Sequence, residues 1–69
     1  MTMRNTLLEA TIAHQQGIIA KHKANVEVYL SNVVGIGEHS DIIETIELEM
    51  KLIADAQDII DTIATHFDK

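Results

Sequence analysis

Four histidines are the side chains best suited to hold a metal or move a proton: His14, His22, His39 and His66. None lies three or four residues from another, and neither Glu-x-x-His nor His-Glu-x-x-His occurs. Those spacings put two ligands on one helix face, so their absence predicts neither a di-iron bundle nor a zinc-protease site. With no Cys there is no thiolate ligand, thiol nucleophile or disulfide. Ser31 and Ser40 are the only serines and do not fall into a triad order. Gly35-Ile36-Gly37 resembles half of a phosphate loop, but it lacks a preceding strand, a third Gly and a Lys-Ser/Thr pair, and reads as an interhelical turn. The sequence therefore predicts no enzyme, no cofactor and no metal centre.

Three polar residues stand out because they interrupt apolar stripes: Gln15 and His22 in the first half of the chain, Glu49 in the second. If the chain folds back at about residue 36, antiparallel neighbours have numbers summing to about 73, and Glu49 falls opposite the turn His22–Asn25. A carboxylate taken out of water must find a partner or stay protonated; His22, Asn25 and Lys23 are the candidates. Two roles are open: a proton-transfer or ligand-binding pair in the core, or a polar layer that fixes register and oligomeric state.

The elements that must position these residues follow from periodicity. The chain has 69 residues, no Pro, no Trp, one Tyr, one Phe and three Gly. An all-β domain of this length needs more turn residues and more aromatics. Helical spacing runs over about 5–32 and again over about 40–67, separated by a Gly-containing loop at 33–39, which predicts an all-α antiparallel hairpin forming a single unit, 1–69. Asn32 and Gly35 suit a helix C-terminus. Ser40 or Asp41 suits the next N-cap, with Glu44 at capping-box distance from Asp41.

The first helix has an inner stripe of Leu8, Ile12, Gln15, Ile19, His22, Val26, Tyr29 and Val33, widened by Leu7, Ile18 and Leu30. On its far side Ala10, Ala13, Gly17, Ala20 and Ala24 share an arc of roughly 80° at ~100° per residue. Such small residues admit a close helix backbone, and a mid-helix Gly costs ~1 kcal/mol relative to Ala unless packing needs it. The second helix has its main stripe at Ile42, Ile46, Met50, Ile53, Ala56, Ile60, Ile63 and Phe67, with Leu48, Leu52 and Ile59 beside it. One hairpin partner covers an arc of little more than ~100°. Leaving Leu48, Leu52 and Ile59 in water forfeits roughly 1.5–3 kcal/mol each, much of the stability of so small a domain. The expectation is a homo-oligomer, a four-helix or larger bundle, with Ala13, Gly17, Ala20, Ala24, Leu48, Leu52 and Ile59 at its interface.

Charge is unevenly divided. Residues 1–37 carry Arg4, Lys21 and Lys23 against Glu9 and Glu27, a net of +1; residues 38–69 carry nine acids against Lys51 and Lys69, a net of −7. The total of −6 is unsuited to gripping a nucleic-acid backbone. No apolar run is long enough to span a bilayer, and no signal-peptide pattern opens the sequence. Glu44, Glu47, Asp55 and Asp58 share one helix face, interrupted by Lys51. That face is either simply solvated or a docking stripe for a basic protein.

The stretch His22-Lys23-Ala24-Asn25-Val26-Glu27-Val28-Tyr29-Leu30, then Val34-Gly35-Ile36-Gly37-Glu38-His39, then the helix start Asp41-Ile42-Ile43-Glu44, resembles small helical proteins of the marine T4-like tailed bacteriophages. The similarity extends over most of residues 7–67 and rests on a loop signature. It implies a phage setting, with the host cytoplasm or the virion as location. Those proteins have no assigned activity, so the resemblance assigns no site residues.

These features lead to a small acidic homo-oligomeric module with a structural or protein-interaction role, such as a phage accessory protein. The alternatives are an acidic decoy for a host nucleic-acid-binding or defence protein, and a bundle that sequesters a small ligand at Gln15, His22 and Glu49.

Overall fold

The computed structural model describes residues 2–31 and 41–68 as two helices packed along their length, α1 (Met3–Ser31) and α2 (Ile42–His66). Among the described residues there is no strand, and no helix is long and apolar enough to cross a membrane. The loop at 33–39, with Val33 and its Gly35-Ile36-Gly37 turn, lies outside the described residues, as do Asn32, His39 and Ser40.

Local chemistry sets the helix starts. The Thr2 hydroxyl accepts from the Asn5 N–H at 3.1 Å and opens α1 two residues before the apolar stripe suggests. Asp41 caps α2: its Oδ1 accepts from the Glu44 N–H at 3.0 Å. With Glu44 in the first turn and His66 in the last, α2 also complements its own dipole. At the open end, Arg4 Nη2 donates to the Phe67 carbonyl at 2.7 Å, linking the start of α1 to the end of α2.

The inward face of α1 follows the predicted stripe: Leu8, Ile12, Gln15, Ile18, Ile19, His22, Val26 and Tyr29 are buried or half-buried, and Asn25 joins them. Leu7 and Leu30 stay exposed. On α2 the seam differs from the sequence reading. It runs Ile42, Thr45, Ile46, Glu49, Ile53, Ala56, Ile60 and Ile63, whereas Met50 and Phe67 are each about half exposed. Steps of three and four from Ile42 reach residue 49 in register, whereas residue 50 lies about a quarter-turn off the seam at ~100° per residue. Glu49 occupies the inward position because α1 offers it polar partners there, and Phe67 lies beyond the last helical turn.

The packed interior is thin. Only Val26, Ala56 and Ile63 are buried among the described residues. The principal extents are 52 × 17 × 12 Å and the radius of gyration is 15.9 Å, against about 11 Å for a compact chain of this length. Two helices make a slab, and each keeps more than half of its circumference in solvent.

Candidate polar site

The hairpin brings His22 and Glu49 together from positions 27 apart in sequence. His22 Nδ1 lies 2.5 Å from Glu49 Oε1, and Asn25 Nδ2 donates to the same oxygen at 3.0 Å. His22 and Asn25, three residues apart on α1, project from one face one turn apart, and Glu49 reaches between them from α2. An ionised carboxylate only accepts, so with Glu49 charged this contact requires the His22 tautomer that carries hydrogen on Nδ1. Both side chains are largely out of solvent, at 14% and 16% exposure. No buried side-chain nitrogen or oxygen among the described residues lacks a partner, so Glu49 Oε2, which makes no other bond among them, reaches water.

Electrostatics follow from this geometry. The Asn25 hydrogen bond, foremost, and then the His22 hydrogen bond hold the Glu49 carboxyl below its ordinary value of 4.5; the charges of His22 and Lys21 add to the effect, and burial opposes it. Glu49 is thus an ionised acceptor at neutral pH, clamped by two donors. Of the three candidate partners, His22 and Asn25 touch it and Lys23 does not; the lysine that acts on it is Lys21. Gln15 sits half-buried on the same face of α1, but seven residues from His22, about 10 Å along the axis, and outside the cluster.

The other singled-out residues lie apart. His14 and His66 are exposed, and His66 sets its ring edge-on to Phe67 with centroids 6.3 Å apart. No group of three or more His, Asp or Glu that could hold a metal occurs among the described residues. Ser31 Oγ donates to the Glu27 carbonyl at 2.6 Å. Glu44, Glu47, Asp55 and Asp58 are exposed on the back of α2, where Lys51 Nζ meets Asp55 Oδ2 at 3.4 Å. An open groove of about 380 Å³ lies at the open end between Asn5, Glu9, Ile12 and Asp68, with Arg4 and Phe67 beside it; Gln15, His22 and Glu49 do not line it.

The seven expected interface residues are all exposed. They do not share a face. Measured on the helical wheel from the direction facing the other helix, Ala13, Gly17, Ala20 and Ala24 lie roughly half a turn away on α1, while Leu48, Leu52 and Ile59 lie about a quarter-turn away on α2. A Cβ built at Gly17 meets nothing within 4 Å. Sequence reasoning missed Thr2 as the cap of α1, although the Thr-x-x-Asn spacing at its start was there to read.

Comparison with protein-family models, with curated proteins and with solved structures finds no match for the chain. The likeness to phage proteins receives no support from these comparisons.

Proposed function

We propose that this chain is a small acidic self-associating hairpin with a structural or protein-interaction role, its His22–Asn25–Glu49 cluster serving as a polar layer that fixes helix register. The observation that carries this is the imbalance between what the hairpin buries and what it leaves out. Among the described residues three are buried, while Leu7, Val28, Leu48, Met50, Leu52 and Ile59 are each at least 41% exposed. A hairpin cannot enclose these side chains, and a second one can. The cluster suits a register role: one carboxylate oxygen takes two donors from successive turns of α1, and a shift by one residue would forfeit both bonds. A phage accessory role belongs to the proposal through the sequence resemblance alone.

The test is sedimentation equilibrium of the whole chain with thermal melts over a range of concentrations. Self-association gives a mass above 7.7 kDa and a melting temperature that rises with protein concentration. A monomer that melts cooperatively at a concentration-independent temperature overturns it.

A second reading has its own observation. Glu44, Glu47, Asp55 and Asp58 face solvent, and neither Arg4 nor Lys21 pairs with them: Arg4 binds the Phe67 carbonyl and Lys21 acts on Glu49. An acidic stripe left outward is what docking to a basic protein partner requires. Charge reversal of Glu47 and Asp58 should abolish such docking without altering the oligomer mass.

A further inference from the structure

We propose that a second copy of this chain docks on the slab face carrying Leu7, Ile18, Leu48, Leu52 and Ile59, about a two-fold axis parallel to the helices, so that each α2 lies on the partner's α1. This rests on the self-association reading and adds to it the face and the arrangement.

The face comes from handedness. Seen from the open end, residue numbers advance clockwise along α1 and anticlockwise along α2, because the helices are antiparallel. Leu7 and Ile18, a quarter-turn or less from the seam on α1, then fall on the same side of the slab as Leu48, Leu52 and Ile59 on α2. The open-end groove supports this assignment, since Asn5, Glu9 and Asp68, which line it, fall on the opposite side. The apolar residues of this face extend from Leu7 to Leu48, which is level with residue 23 of α1, about 24 Å along the hairpin, with Thr11 and His14 beside them on α1. The 25 residues of α2 give about 38 Å of paired helix, and with the 17 Å width this is about 650 Å² per copy before side chains interdigitate. Two copies bury about 1,300 Å², within the range of stable interfaces.

Charge selects the arrangement. Over Met3–Ser31 α1 carries Arg4, Lys21 and Lys23 against Glu9 and Glu27, and over Ile42–His66 α2 carries six acids against Lys51. The two-fold perpendicular to the helices would stack α2 on α2 and bring the two Asp55 side chains near each other. The two-fold parallel to them places Asp55 beside the partner's α1. The observed register pairs Arg4 with Phe67 and His22 with Glu49, which sets Asp55 about 7.5 Å along the axis from Lys21 of the facing α1, nearly one and a half turns. Side chains lean toward their own helix N-terminus, so Lys21 and Asp55 lean toward each other across the antiparallel contact. Lys51 already accompanies Asp55, but that pair is exposed and weak.

The chain has no Cys, so single cysteines report cleanly. Lys21→Cys protein mixed with Asp55→Cys protein should be joined into a heterodimer by a short bis-maleimide, whose reach covers an offset that a disulfide cannot, and Asp55→Cys alone should not cross-link. Leu52→Glu and Ile59→Glu should each weaken association at least about tenfold in sedimentation. Should these variants unfold, the cross-linking result still decides, because it leaves the apolar face intact. Association that survives Leu52→Glu but fails in Met50→Glu or Gly17→Leu overturns the face and leaves self-association standing. Efficient cross-linking of Asp55→Cys alone overturns the arrangement. A wild-type chain that is monomeric at high micromolar concentration overturns the self-association reading itself.

Discussion

Glu49 Oε1 accepts hydrogen bonds from His22 Nδ1 at 2.5 Å and from Asn25 Nδ2 at 3.0 Å, so one oxygen of α2 is shared by two successive turns of α1. The hairpin commits Glu49, the one inward carboxylate among the described residues, to donors supplied by its own fold.

This gives a pH signature. The two donors, Asn25 foremost, place Glu49 below its ordinary value of 4.5 in the fold. Its ionised form therefore adds stability at pH above about 4.5, and that contribution is lost as pH falls through the lower folded value. Glu49→Gln should melt below wild type near neutral pH, and the gap should close in acid. Circular-dichroism melts at fixed protein concentration check this; a gap that widens below pH 4 would contradict the ionised assignment.

Replacing the cluster should separate stability from specificity. His22→Leu alone leaves the Glu49 carboxylate with one donor and should destabilise. His22→Leu combined with Glu49→Leu removes the carboxylate together with its donor and should recover much or all of that loss, as apolar replacements of enclosed pairs do. The double variant should show a broader set of masses in native mass spectrometry if the cluster fixes register. A single unchanged species would assign the cluster a purely local role.

Ala56 is the most deeply buried of the described residues, at 2% exposure. Ala56→Leu should overpack the seam and cost about 1–3 kcal/mol, lowering the melting temperature by at least about 4 °C for a chain of this size. An unchanged melting temperature would mean that the helices part readily at this point.

The Asp41 cap is testable alone. Asp41→Ala removes the acceptor for the Glu44 N–H and should cost about 1 kcal/mol, while Asp41→Asn, an equally good cap, should cost far less. Equal losses from both, measured by urea denaturation, would transfer the effect to charge.

Gly17 sits in open space. Gly17→Ala should stabilise by up to about 1 kcal/mol through helix propensity. Destabilisation with loss of association would show another helix seated on the small-residue stripe.

The helices, their antiparallel packing and the Asp41 cap were legible in the sequence because each depends on neighbours within one or two turns: a 3,4 apolar period, an Asp three residues ahead of Glu44, a lone Gly-containing interruption. Even the meeting of Glu49 with His22 and Asn25 could be read, since an antiparallel hairpin has one free parameter, the position of its turn. Tertiary structure decided what local period leaves degenerate. Glu49 and Met50 are adjacent on a helix with a wide apolar arc, and hydropathy favours Met50 for the seam; facing donors on α1 gave the place to Glu49. The direction of the remaining apolar stripes was likewise set by the seam. Once α1 and α2 had chosen their contact, Leu48, Leu52 and Ile59 came to lie on a flank and Gly17 on the back, because a helix is rigid and fixing one face orients all the others.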